Sequence, residues 1–165
     1  MQVVIVRHAV AFDRDPTQWP DDRQRPLTEE GEMKMRRAAR GLRSLVPKVD
    51  VLLSSPWKRA WQTAEVLHEE AGWPSPKSCE ALEGDRNHRG VLTALREVSG
   101  AETVALVGHE PQSHRLASYL LTGDAARVLL EFKKGAAAAL LIESPFRAGT
   151  ARLLWFLPPR ALRGL

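Results

Sequence analysis

Cysteine is almost missing from this chain: Cys79 stands alone in 165 residues. No disulfide can form within the chain, and a lone thiol fits a reducing compartment, so a cytoplasmic setting is expected. Metal-ligand spacing is lacking too. The five histidines are scattered and one cysteine cannot build a thiolate cage, so no metal and no cofactor are expected. No apolar run approaches the length that crosses a bilayer, and no charged-then-apolar leader opens the chain, which argues against a membrane partner. Internal repeats, low-complexity tracts and linkers are also missing, so residues 1–165 are expected to form one domain. Interleaved aromatic and basic residues of the kind that stack on single strands do not occur, and nucleic acid is not expected as a partner. The net charge of +4 and pI near 9.6 instead suit an anionic substrate.

What is present is the pattern of an ordinary α/β globule. Gln2 to Val6 is short, β-branched and apolar, which predicts a buried strand. Residues 9–26 carry three prolines and predict a long loop, of the length that usually serves function. Thr28 followed by Glu29 and Glu30 predicts a helix start. Met33, Ala38, Leu42 and Leu45 recur at helical spacing up to Pro47. Further strands are predicted at 51–53, 77–80, 103–107, 136–142 and 151–157. A second helix is predicted to be capped by Ser55, with Pro56 at its first position, and to close near Gly72. Two more are expected over 91–98 and from Pro111 to Leu121. Residues 81–90 predict a second exposed loop, and Pro158-Pro159-Arg160 is expected to leave the core. Such alternation implies a largely parallel sheet with helices on both faces, and ligands beyond the carboxyl ends of its strands.

Two histidines fall at such ends. Val3-Val4-Ile5-Val6 runs into Arg7-His8, and Thr103-Val104-Ala105-Leu106-Val107 runs into Gly108-His109. A neutral imidazole at His8 can attack phosphorus, splitting one hard displacement into two easier ones. Nearby arginines lower its pKa and keep the lone pair free. Arg7 and Arg59 offer planar forks that match phosphate oxygens. His109, if protonated, adds a donor to the charge that develops there. An acid is still needed for the leaving oxygen. Glu83 and Asp85 lie in the second loop, and Asp13, Asp15, Asp21 and Asp22 in the first. Trp57 and Trp61, four apart, share a helix face; core packing is the default, with Trp57 near enough to the helix start to line a pocket mouth.

Four motifs in order then resemble one family: Val-Arg-His-Ala at 6–9, Arg-Pro-Leu-Thr-Glu-Glu-Gly at 25–31, Ser-Ser-Pro-Trp-Lys-Arg-Ala-Trp-Gln-Thr at 54–63 and Val-Gly-His-Glu-Pro at 107–111. They are similar to the histidine phosphatase superfamily, the phosphoglycerate mutase-like group, and most of all to its short SixA-type phosphohistidine phosphatases. The resemblance implies a three-layer α/β/α fold with a mixed, mostly parallel six-stranded sheet ordered 3-2-4-1-5-6, strand 5 antiparallel. It makes His8 the phosphorylated nucleophile, and Arg7, Arg59 and His109 the phosphate pocket. The family's usual Arg-His-Gly is Arg-His-Ala here, at Ala9. For the acid, Glu83 is the first choice, Asp85 the second, and an acid of the first loop the third.

The expected activity is therefore a metal-independent phosphatase. Its substrate is a phosphohistidine-bearing protein or a small phosphoester. A short chain leaves little sequence for a lid, which suits a bulky, protein-borne phosphate. A mutase-type phosphotransferase and a phosphate-binding module without turnover are the alternatives.

Overall fold

The computed structural model describes residues 1–143 and 147–165. The chain alternates strand and helix: β1 (Gln2–Arg7), α1 (Glu29–Leu45), β2 (Val51–Ser54), α2 (Lys58–Ala71), β3 (Lys77–Ser78), α3 (His88–Glu97), β4 (Thr103–Gly108), α4 (Gln112–Thr122), β5 (Ala137–Leu141), β6 (Arg152–Leu157) and α5 (Pro159–Leu162). Short 3-10 turns at Asp22–Gln24 and Glu80–Leu82 interrupt the two predicted loops. The sheet order is β3-β2-β4-β1-β5-β6. β5 runs antiparallel to both neighbours and the other pairings are parallel. This is the expected mixed α/β/α architecture.

Side chains alternate across β1 and feed two cores. Val4 and Val6 join the layer of α1, α2 and α5, through Ala38, Leu42, Ala64 and Leu162. Val3 and Ile5 join the layer of α3 and α4, through Val91, Leu95, Leu116 and Leu120. With both faces covered, the central strands read as unbroken apolar runs. Ala137, Ala138 and Ala139 are fully buried in β5. Their helix propensity loses to ladders on both sides and cover on both faces.

Local differences from the sequence expectations have local causes. Thr28 does cap α1, accepting from the Gly31 N–H at 3.0 Å. The buried face of that helix, however, is Met35, Ala38, Ala39 and Leu42, while Met33 and Leu45 face solvent. The two stripes differ by a small rotation, which spacing alone resolves poorly. α2 begins at Lys58, later than Pro56. Residues 81–90 are only partly exposed: Leu82 and Glu83 are buried, and Asn87 caps α3 by accepting from the Arg89 N–H. The chain after β6 returns to the core instead of leaving it. Leu162 is fully buried on α1, where a Cβ at Gly41 would overlap its carbonyl oxygen. Among the described residues, no helix is long and apolar enough to cross a membrane.

Candidate active site

Sheet register brings the motifs together. β1 and β4 are parallel neighbours with Arg7 opposite Gly108, and β2 aligns Ser54 with Val107 on the far side of β4. His8, His109 and Ser55 each follow one of these positions. The N–H of His8 donates to the Gly108 carbonyl at 3.0 Å, and that of Ser55 to the Val107 carbonyl at 3.0 Å. The two imidazoles therefore leave the same edge of the sheet side by side, with ring centroids 5.1 Å apart. They line a cleft of ≈ 490 Å³ at the carboxyl ends of the strands, shared with Arg7, Arg25, Arg59, Lys134 and Trp57.

His8 is 5% exposed. Its Nδ1 lies 2.7 Å from the Ala9 carbonyl oxygen. A carbonyl only accepts, so Nδ1 carries the proton and Nε2 keeps the lone pair. The Ala9 peptide is itself held: its N–H donates to Thr63 Oγ1 at 3.0 Å, and that hydroxyl donates to the Arg59 carbonyl at 2.7 Å. The last residue of the Ser-Ser-Pro-Trp-Lys-Arg-Ala-Trp-Gln-Thr motif thus steadies the histidine of the first. Burial, and then the charges of Arg59, Arg7 and Lys134, hold the His8 pKa down to about 3, partly opposed by the Ala9 hydrogen bond. The ring is neutral at pH 7, the form a nitrogen nucleophile requires.

His109 is 3% exposed, and its pKa is also pushed far down, by burial first and by His8, Arg59 and Arg7 after it. The sequence had left room for a protonated His109; desolvation between two arginines and a second imidazole makes it neutral instead. Its Nε2 is 2.9 Å from Ser55 Oγ, and its Nδ1 is buried with no partner among the described residues. Trp57 packs on the ring at 4.7 Å between centroids.

Arg59 is buried on the first turn of α2. It donates through Nη1 to the Asp22 carbonyl at 2.7 Å and through Nη2 to Asp22 Oδ2 at 3.1 Å. Its guanidinium lies 4.7 Å from the centroid of Trp57, a cation–π stack. Arg7 donates through Nη1 to the Phe132 carbonyl at 2.6 Å. The Nε atoms of both arginines are buried without partners among the described residues. Each guanidinium is clamped by one edge and keeps donor capacity beside the imidazoles. Trp57 is therefore a residue of the cleft, whereas Trp61 bonds Glu65 on the outer surface of α2.

The acids fall differently from the first choice. Glu83 is buried, its carboxylate 3.3 Å from Arg86 Nε, and it does not line the cleft. The turn Glu80–Leu82 draws it inward with Leu82. Asp85, two residues on, is exposed and does line the cleft, as do Asp13, Asp22 and Glu110. Asp22 is engaged by Arg25 and Arg59. The hydrogen bond from Arg25 foremost holds its pKa down, and a group kept ionised is a poor proton donor. Glu110 accepts from the Phe132 N–H and pairs with His114. His88 is buried at the start of α3 against Tyr119, away from this cleft.

Arg25, Lys134, Ser55 and Thr63 were not assigned to the site from the sequence, and Ser55 was expected only as a helix cap. Three of them lie inside quoted motifs: Arg25 opens one, and Ser55 and Thr63 belong to another. Lys134 lay in no motif; the loop before β5 brings it to the cleft, held there by Phe132, whose carbonyl accepts from Arg7 and whose N–H donates to Glu110, and by the Gly135 N–H, which donates to the carbonyls of Arg7 and His8.

Comparison with known proteins points the same way. Residues 3–85 match the model of the histidine phosphatase superfamily (branch 1). An uncharacterised protein of Picosynechococcus sp. strain PCC 7002 is 31% identical over 156 residues, covering 93% of this chain and 88% of that protein. The solved protein histidine phosphatase SixA, complexed with tungstate, superposes with a TM-score of 0.85 at 26% identity, covering 98% of this chain and 99% of that one. A candidate phosphohistidine phosphatase SixA of Nakamurella multipartitia gives 0.76 at 25% identity, over 96% and 95% of the two chains. With its strand-end histidines side by side between clamped arginines, the chain belongs to branch 1 of the histidine phosphatase superfamily.

Proposed function

We propose that the protein is a phosphatase that removes phosphate from phosphohistidine borne on another protein, through a covalent phosphate on His8 Nε2. One observation carries the reading. The hydrogen bond from His8 Nδ1 to the Ala9 carbonyl leaves Nε2 as the bare, neutral nitrogen of a ring seated beside two arginines. The SixA structure that superposes with a TM-score of 0.85 is described as a protein histidine phosphatase and holds tungstate, a tetrahedral oxyanion.

In the first step the Nε2 lone pair attacks phosphorus, and the bond from phosphorus to the substrate imidazole breaks. The departing nitrogen takes the bonding pair and a proton from solvent, which the second step returns when water is split. In the second step water attacks phospho-His8, the P–Nε2 bond breaks, and inorganic phosphate leaves with the proton balance restored. Arg7, Arg59 and His109 hold the equatorial oxygens as charge builds on them. An imidazole is a good leaving group, so the absence of Glu83 from the cleft is tolerable for this substrate. Asp85 on the rim favours a second reading, hydrolysis of small phosphoesters, whose alkoxide leaving groups need that proton. On either reading no metal takes part.

The test is a substrate panel in EDTA: a phosphohistidine protein, a phosphoserine peptide, sugar phosphates and para-nitrophenyl phosphate. The expected result is fastest release from phosphohistidine, with acid-labile label trapped on His8. His8→Ala should lower turnover by roughly 10⁴-fold or more. Label on His109, or activity that EDTA abolishes, would overturn the scheme.

A further inference from the structure

We propose that Ser55 is a positioning residue that sets the tautomer of His109: its hydroxyl donates to Nε2, so the imidazole proton resides on Nδ1 and that nitrogen becomes a donor to a phosphoryl oxygen. The inference rests on reading the cleft as a phosphoryl-transfer site, but its physical core is a matter of counting protons.

Ser55 is fully buried at the end of β2. Its Oγ has two neighbours of consequence. The Trp57 N–H donates to it at 3.3 Å, and His109 Nε2 lies 2.9 Å away. A hydroxyl has one proton to give and two lone pairs to fill. The Trp57 amide fills one lone pair, leaving the outgoing proton in need of an acceptor, and Nε2 supplies it. The reverse arrangement has two defects. If Nε2–H donated to Oγ, the buried hydroxyl proton would be left without an acceptor, which is costly. Nδ1 would then carry a lone pair, and a lone pair facing anionic oxygens repels them.

Nδ1 is the atom left over in the structure: buried, and without a partner among the described residues. The same condition holds for Arg7 Nε and Arg59 Nε. With Trp57 Nε1, also buried and unpartnered among the described residues, four unmatched nitrogens sit on residues lining one cleft, and they form a consistent set only if all four are donors. Because burial keeps His109 neutral, it has a single N–H to offer, and the tautomer alone decides whether that N–H is available to a ligand. The ring cannot correct a wrong tautomer by turning. Trp57 packs on it, and Gly84 closes on both, a Cβ at Gly84 lying 3.1 Å from Trp57 and 3.4 Å from His109 Cβ.

The two catalytic-wall histidines are then set in the same tautomer by different devices. A backbone carbonyl accepts from Nδ1 of His8, and a hydroxyl donates to Nε2 of His109. In His8 the free atom is a lone pair, suited to attack. In His109 it is a proton, suited to binding.

The experiment begins with the wild-type protein labelled with ¹⁵N-histidine. Two-bond ¹H–¹⁵N correlation should show His109 as the Nδ1–H tautomer; the Nε2–H form would overturn the proposal. This readout needs no turnover, so it stands or falls apart from the choice of substrate. Orthovanadate binding then measures the consequence. Ser55→Ala should weaken it about ten- to hundredfold, and Ser55→Thr, which keeps the hydroxyl, should recover most of it. In a His109→Ala background Ser55→Ala should add almost nothing. An equal loss in both backgrounds would make Ser55 a structural residue and sink the inference. Should Ser55→Ala fail to fold, the wild-type tautomer and the Ser55→Thr protein decide the matter.

Discussion

The cleft has two walls built on different terms. One consists of strand ends and the first turn of α2. Its side chains, His8, His109, Ser55 and Arg59, are all at most 5% exposed and each is fixed to backbone or to a buried neighbour. The other wall consists of loops. Asp13, Arg14 and Asp85 are exposed there, and their loops are pinned at a few points such as Arg25 to the Phe12 carbonyl. The first wall holds a neutral nucleophile between fixed cations, which any phosphate monoester or phosphoramidate requires. The second faces whatever the phosphate is attached to. Precision is concentrated where the chemistry does not vary, and tolerance where the substrate does.

The largest effects should come from the strand-end wall. Arg59→Ala removes a buried donor and its stack on Trp57, and should lower kcat/KM by about 10²- to 10³-fold. Arg59→Lys keeps the charge but loses the fork that reaches both Asp22 and the cleft, so it should recover only a small part of that loss. Steady-state kinetics on a phosphohistidine protein and on para-nitrophenyl phosphate would check both. A loss confined to one substrate would contradict the division between walls, because this wall should not sense the leaving group.

The same division explains what the sequence made legible. Arg7, His8 and His109 could be found because each sits at the end of an apolar run, and strand ends of a parallel sheet converge by topology. Arg59 needed its motif, since a lone arginine in a helix is ordinarily a surface charge. Glu83 was ranked above Asp85 on its motif alone, because the sequence does not show that a two-residue difference in this loop turns one carboxylate inward with Leu82 and leaves the other at the rim. Ser55 looked like a helix cap, and its hydroxyl does accept from Trp57, but its other partner is 54 residues away. Leu162 was invisible for a similar reason: a Pro-Pro pair after β6 resembles an exit, and only the gap over Gly41 turns the chain back.

Substitutions on the loop wall should sharpen the comparison with smaller, substrate-dependent effects. Asp85→Asn should slow para-nitrophenyl phosphate little, since its phenolate leaves readily. It should slow an alkyl phosphate about 10²-fold, the lower end of what acid catalysis supplies, and hardly affect phosphohistidine. Glu83→Gln should be nearly silent on all three, as its carboxylate faces Arg86. A reversed pattern, with Glu83→Gln selective for the alkyl ester, would restore Glu83 as the acid and require the 83–85 turn to rearrange on binding.

A further effect is on stability, and acid separates the walls most cleanly. His8 and His109 are neutral in the folded protein and have ordinary imidazole pKa values near 6.5 when unfolded. As pH falls below 6.5, the unfolded chain binds protons that the folded cleft refuses, so stability is lost across that window and continues to be lost until about 3 for His8. At pH 5 the loss is about 2 kcal/mol for each such histidine. Asp22 on the loop wall loses stability in the same direction but in a lower window: its pKa is depressed by Arg25, so its contribution persists through this range and disappears only in stronger acid. Urea unfolding at pH 7 and pH 5 should therefore show a drop in the wild type that shrinks by about 2 kcal/mol in His8→Asn and is unchanged in Asp22→Asn. His88, whose pKa burial also lowers, adds a background common to all three proteins. Equal drops in wild type and His8→Asn would mean that water reaches the strand-end wall, and the contrast between a dry wall and a wet one would have to be abandoned.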